Sequence, residues 1–208
     1  MNRVPKTIDN NVKRLIKRIN TNEKPIYLNV TPEPYAEIDE CIAAVYKKIE
    51  KDEGSIQLGW QIWHMPNIII EAEFHAVWKS PDGTLKDITP KIEGVHKILF
   101  VPDSKTKYDG AQRNNIRLNI SGNKLVDDFI QICDAIHKLK NKGERAYQKE
   151  VIFSGEESQI YEMLNNAKDI VYTLIKNGLS RNSRCFCGSG DKYKHCHGKK
   201  LYDLLGMV

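Results

Sequence analysis

The chain has 208 residues and a mass of 23.9 kDa, with 40% hydrophobic and 28% charged residues and a formal charge of +5 at pH 7. That suits one domain of about 150–180 residues plus an appendage. A mean hydropathy of −0.51, with no apolar run near the ~18–20 residues that cross a bilayer, excludes a membrane-spanning helix. The start, MNRVPKTIDNNVKRLIKRIN, has no apolar h-region, so no secretory signal is expected.

The first helix is predicted from Ile8, Val12, Leu15, Ile16 and Ile19, with Thr7 or Asp9 as N-cap and Lys13, Arg14, Lys17 and Arg18 on the other face. Pro25 ends it, and Ile26 to Val30 reads as a short strand. After Thr31-Pro32-Glu33-Pro34, the spacing of Ile38, Cys41, Ile42, Val45 and Ile49 predicts a second helix to about Lys51, stopped by Gly54. The period then changes. Ser55–Trp63 and Asn67–Lys79 are rich in β-branched and aromatic residues and read as strands. Pro81-Asp82-Gly83 signals a turn, followed by strands at Leu85–Ile88, Lys97–Val101 and near Ile116–Ile120. Ser104–Asn115, polar and turn-rich, reads as a mobile loop. Leu125, Phe129, Ile132, Cys133, Ile136 and Leu139 mark a third helix closed by Gly143. A fourth, long helix runs from about Ile160 and ends at Gly178.

The fold class is therefore α+β: an antiparallel sheet with flanking helices, then a small C-terminal knuckle rich in Cys and His. The expected division is a body at 1–178, a linker at 179–184, and a metal motif at 185–198 with a short tail to 208.

Charge is uneven. Residues 1–24 hold seven Lys/Arg against two acids, and residues 181–208 hold six against two, leaving an acidic middle of about −4. A basic C-terminal tail suits an anionic partner such as an acidic protein, the ribosome or nucleic acid; the plainer alternative is solvated surface. No Walker-type loop, dinucleotide fingerprint or HExxH helix occurs.

Cys185, Cys187, Cys196 and His197 place four soft donors within 13 positions. That suits tetrahedral zinc, and Gly188 and Gly190 permit the chain reversal. Too short to bury a core, such a tail would draw most of its folding free energy from the metal. A disulfide is the competing use of two cysteines, disfavoured in the reducing cytoplasm that the lack of a signal implies. The run Arg181 to Gly198 resembles the SEC-C motif, which ends the bacterial preprotein translocase ATPase. The resemblance implies Zn2+ held by Cys185, Cys187, Cys196 and His197, with His195 the competing fourth ligand. The chain departs from the motif at Ser183-Arg184, where a proline often stands.

Cys41, His75 and Asp87 occur in that order in a helix–strand–strand context. A thiol is a useful nucleophile when a base favours the thiolate, and a carboxylate can fix the base's tautomer. Counted from Asp82, His75 and Asp87 lie seven and five residues away, so they share a face only with a shift of register. The structural alternative is a core cysteine, a satisfied histidine and a turn-capping aspartate. Cys41 to Val45, Gly54, Gly59-Trp60, Glu73 to Trp78 and Asp82 to Pro90 resemble the transglutaminase-like proteins, of papain-like cysteine peptidase architecture. The resemblance implies Cys41 as nucleophile, His75 as base and Asp87 as orienter. That family starts its helix at the cysteine, whereas Tyr35–Glu40 here could extend the helix upstream, with Glu37, Asp39 and Glu40 opposing a thiolate.

Cys133 and His137, one helical turn apart, read as a core and a boundary residue. Trp60, Trp63 and Trp78, with Glu71 and Glu73, read either as a substrate groove or as sheet packing. The leading functional expectation is a cytoplasmic cysteine hydrolase or acyltransferase on amide bonds, recruited by its zinc tail. The alternative is a non-catalytic adaptor that binds a macromolecule through that tail.

Overall fold

The computed structural model describes residues 3–92 and 94–208. The backbone divides into two units, Met1–Asp109 with Asn115–Ile120, and Gly110–Asn114 with Ser121–Val208.

In the first unit, α1 (Asn10–Ile19) starts where the Asp9 carboxylate accepts the amides of Asn11 and Val12, both at 2.9 Å. It stops at Asn20, whose φ of 63° lies in the left-handed region. Strands β1 (Ile26–Asn29), β2 (Ser55–Met65), β3 (Ile69–Lys79), β4 (Leu85–Lys86), β5 (Lys97–Pro102) and β6 (Ile116–Asn119) form one sheet of order β1-β5-β2-β3-β4, with β6 on β3. All the strand pairs are antiparallel. A bridge between Val30 and Asp87 ties the two ends of this order, so the sheet is nearly closed. The long β2–β3 hairpin runs in unbroken register from Ser55↔Lys79 to Met65↔Ile69.

Alternation sorts the side chains of this sheet. Trp60, Ile62, Ile70, Ala72, Leu99 and Val101 pack against Val12 and Leu15 of α1. Further along the same face, Ala76 and Trp78 receive Ala44 and Val45 of α2 (Cys41–Asp52). The opposite face gathers Leu28, Val77, Ile98 and Phe100. Each such fully buried side chain contributes about 1.5–3 kcal/mol, enough to hold β2, β3 and β5 as a rigid platform.

The second helix differs from the spacing-based expectation. It begins at Cys41, and Ile38 is 52% exposed outside it. The preceding segment is held elsewhere: Thr31 and Glu33 donate their amides to the carbonyls of Asp87 and Ile88, at 2.8 and 3.0 Å. Pro32 and Pro34 keep the residues before them extended, and Asp39 takes a φ of 67°.

In the second unit, α3 (Lys124–Lys140) is capped by Asn123, whose side chain accepts the Leu125 amide at 3.0 Å. It packs against α4 (Gly155–Lys176). Gly178, at φ 69°, closes α4, with the Leu179 amide returning to the Leu174 carbonyl at 3.0 Å. Helix α5 (His197–Leu205), within the segment expected only as a short tail, packs on both α3 and α4 with Leu201 buried. No described helix is long and apolar enough to cross a membrane.

Candidate functional site

Cys41 is the first residue of α2. At that position the positive end of the helix dipole favours a thiolate. His75 lies on β3, 5% exposed, and Asp87 directly follows β4, fully buried. The pairing Trp78↔Lys86 and Lys79↔Leu85 centres the hairpin on Asp82. Continued one step, it sets Asp87 opposite Val77, diagonal to His75 on the same face. No register shift is needed, because side chains two residues apart along a strand share a face.

His75 Nε2 meets Asp87 Oδ1 at 3.2 Å, and the Thr89 amide donates to the same oxygen at 3.1 Å. The Cys41 thiol is within hydrogen-bonding reach of the His75 imidazole. Lys91 completes the group: its Nζ pairs with Asp87 Oδ2 at 3.0 Å and approaches His75 Nε2 at 3.2 Å, with the side chain 8% exposed. Sequence reasoning missed Lys91, four residues after Asp87 in a segment without regular structure.

These contacts set the ionisation. Burial would push the Cys41 thiol up, but the facing His75 charge and hydrogen bond, the Ala76 backbone and Lys91 outweigh it and hold the thiol below its ordinary value. Burial would push His75 down, yet the Cys41 charge and the imidazole's hydrogen bonds to Asp87 and Cys41 raise it to about 9. Asp87 also resists its burial, held below the usual carboxylate value by His75 and then Lys91. The two shifts on Cys41 and His75 agree in sense: together they favour a thiolate–imidazolium pair.

The group opens on a cavity of about 230 Å³ lined by Cys41, His75, Gln61, Trp63, Glu73 and Thr89 among others. Trp63 Nε1 donates to Glu73 Oε2 at 2.6 Å in this wall. Trp60 and Trp78 do not line the cavity; they sit in the packing against α1 and α2. Glu71 pairs instead with Arg117 at 3.1 Å. Gly59, directly across from His75, leaves room for the Phe100 ring, which meets the imidazole edge-on at 6.3 Å.

The second constellation is at the C-terminus. Arg184 and Lys192 pair across a tight reversal, with the Cys185 amide donating to the Asp191 carbonyl at 2.7 Å. Gly188 and Gly190 take φ of 78° and 82°, which side-chain-bearing residues rarely adopt. The reversal brings Cys185 Sγ to 3.1 Å from His197 Nδ1, and Cys187 Sγ to 3.5 Å from Cys196 Sγ. The four donor atoms lie within 4.8 Å of one another. A tetrahedral zinc with thiolate bonds of about 2.3 Å holds its sulfurs roughly 3.8 Å apart, so the donor set fits the ion. His195 is exposed and outside this group. Hydrogen bonds from the Ser189 hydroxyl and amide, then Cys196, hold the Cys187 thiol down to about 6. Cys133 and His137 lie together on α3, and no described metal-type cluster includes them.

Of the six basic residues in the tail, Arg184, Lys192, Lys194, Lys199 and Lys200 are exposed. Arg181 is not part of that free surface. Its guanidinium pairs with the buried Asp128 of α3, Nε to Oδ2 at 2.8 Å, and with the Tyr202 hydroxyl.

Residues 181–199 match the family described as the SEC-C motif. Similar curated proteins include the protein translocase subunit SecA of Ehrlichia chaffeensis, 51% identical over 35 residues, 17% of this chain and 4% of that protein. The SecA of Campylobacter hominis is 42% identical over 65 residues, 31% of this chain and 7% of its own length. That of Brachyspira hyodysenteriae is 27% identical over 110 residues, 47% of this chain and 11% of its own length. The chain thus spans only 4% to 11% of the length of these relatives. No solved structure matches it. The chain carries a SEC-C zinc-binding motif.

Proposed function

We propose that the first unit is a transglutaminase-like cysteine hydrolase or acyltransferase acting on amide bonds, recruited to its target by the zinc-binding tail. The observation that carries this reading is Cys41 at the start of α2, within reach of a histidine that Asp87 engages from behind. The Cys41 thiolate attacks the acyl carbon, and the carbonyl π electrons move onto oxygen. As the intermediate collapses, the imidazolium of His75 gives its proton to the departing amine, leaving a thioester on Cys41. His75, now neutral, takes a proton from water or an acceptor amine as it attacks the thioester, and the sulfur departs with the bonding pair, restoring the Cys41 thiolate beside the His75 imidazolium. Asp87 keeps the imidazole oriented throughout, and Lys91 keeps Asp87 ionised and fixed. In the tail, zinc on Cys185, Cys187, Cys196 and His197 would supply folding free energy to a segment with little core.

The reducing cytoplasm suits both a catalytic thiolate and zinc thiolates. The exposed Arg184, Lys192, Lys194, Lys199 and Lys200 favour an anionic partner: an acidic protein, the ribosome or nucleic acid. Binding through them is expected to weaken steeply with salt, and a salt-independent association would return this face to plain solvated surface.

The activity is tested by iodoacetamide labelling at neutral pH followed by peptide mapping. Cys41 is expected to react ahead of Cys133, more slowly in His75→Ala, and less slowly in Asp87→Ala because Asp87 acts only through the imidazole. Equal, slow labelling of Cys41 and Cys133 in all three proteins would end the catalytic reading and leave the adaptor.

A further inference from the structure

Gln61 is 1% exposed, and its side-chain Nε2 has no hydrogen-bond partner among the described residues. Nearly all buried polar groups are paired, so an orphaned amide in the middle of a strand asks for an explanation. Its place supplies one. Gln61 follows Gly59 on the same face of β2, and Gly59 is the residue directly opposite His75. Its side chain therefore stands one alternate step from the imidazole, in the wall of the cavity that also holds Cys41. Thr89 Oγ1 shares that wall, likewise unpartnered. A hydroxyl can be satisfied by donating or by accepting, whereas the amide NH2 can only donate.

We propose that Gln61 is a catalytic residue whose Nε2 donates a hydrogen bond to the acyl oxygen of the substrate as negative charge develops on it. The assignment rests on the hydrolase or acyltransferase reading above and extends it. A donor held ready in a buried site stabilises an oxyanion without reorganising at the moment of reaction. Around it, Asp87 pairs with His75 and Lys91, and Glu73 with Trp63. Gln61 is the strand residue beside them whose amide donor has no partner among the described residues.

The test compares two reactions of Cys41 in the full chain. A p-nitrophenyl ester acylates the thiolate through a tetrahedral oxyanion: the sulfur–acyl bond forms, and nitrophenolate leaves with the electron pair of the ester bond. Iodoacetamide alkylates the same thiolate by displacing iodide, with no oxyanion. Gln61→Leu is expected to slow acylation about 100-fold or more while alkylation stays within about twofold. Leucine fills similar volume without the orphaned donor, so the variant should melt no lower than wild type. Unchanged acylation would overturn the proposal, and so would a parallel fall in both reactions, which marks a structural role. A Gln61→Met variant read the same way guards against misfolding peculiar to leucine. If wild-type Cys41 is inert to both reagents, the parent reading fails, an outcome distinct from normal Cys41 chemistry indifferent to Gln61.

Discussion

Gly59→Ala joins the packing of the sheet to the chemistry proposed for it. A Cβ at Gly59 would lie 2.4 Å from the Val101 carbonyl oxygen and 2.5 and 2.9 Å from two ring carbons of Phe100. Val101 and Phe100 are both fully buried, and the carbonyl belongs to β5, paired with β2. Relief requires β5 to move off β2 or the Phe100 ring to turn into filled space. Overpacking of this kind costs about 1–3 kcal/mol, and with a backbone atom among the clashes the upper end applies. Alanine recovers roughly 0.5 kcal/mol by restricting the unfolded chain, leaving a net loss of about 2.5 kcal/mol. All three tryptophans lie in the first unit, so urea unfolding followed by tryptophan fluorescence reads the unit directly. Because Phe100 abuts His75 edge-on, Cys41 alkylation should also slow in the folded variant. A stability within about 0.5 kcal/mol of wild type, the scale of an innocuous surface change, would refute the argument.

Cys187→Ser should abolish stoichiometric zinc in the purified protein yet leave Cys41 alkylation unchanged, because every partner of Cys41 lies in the other unit; zinc retained in the variant would refute the ligand set. His197→Ala should lose zinc and His195→Ala keep it, and the reverse pattern would move the fourth ligand to His195. With Cys41 depressed and His75 raised to about 9, the alkylation rate should climb through a midpoint below the ordinary thiol value of about 8.5; in His75→Ala that midpoint should move to or above it. The stability from the raised His75 is fully present below about pH 6.5 and is lost as pH rises through about 9, so the wild-type advantage over His75→Ala in urea midpoint should shrink there. Arg181→Ala leaves Asp128, 1% exposed, as an unpaired buried carboxylate. The cost should fall near the low end of about 3–5 kcal/mol, since Arg181 itself is partly exposed, and a loss under about 1 kcal/mol in a circular-dichroism melt would count against a buried pair.

Local patterns were readable where the deciding forces are local. The Asp9 cap and the spacing of Val12 and Leu15 announce α1, and alternation with Pro81-Asp82-Gly83 announces the β2–β3–β4 meander. The common face of His75 and Asp87 was also within reach, since a hairpin centred on Asp82 puts Asp87 opposite Val77. What was hidden depends on distant partners. The spacing of Ile38 and Cys41 fits a helix, but the amides of Thr31 and Glu33 are drawn to Asp87 and Ile88, more than fifty residues away. Gln61 looks like an ordinary polar residue of an alternating strand until the sheet nearly closes and buries it. The start of α5 at His197 was obscured by glycine and two lysines, and only its packing on α3 and α4 makes those residues a helix.

The SecA resemblance extends to a small fraction of SecA, so what the motif does here has to be argued from its attachment in this chain. That attachment is specific. Arg181, the first matched residue, neutralises Asp128 on α3 and reaches Tyr202 on α5. Asn123 caps α3 with its oxygen while its Nδ2 donates to the Leu179 carbonyl at 2.8 Å, and Tyr193 within the motif is 3% exposed. The metal loop is therefore built onto the α3–α4 pair, and α5 starts at its last ligand. A partner seated on the exposed lysines would bear on a segment whose order depends on the zinc ligands and on the Arg181–Asp128 pair. On the proposed reading, recruitment through the tail and the stability of the second unit are therefore coupled properties, whereas the residues proposed for the Cys41 chemistry all belong to the first unit.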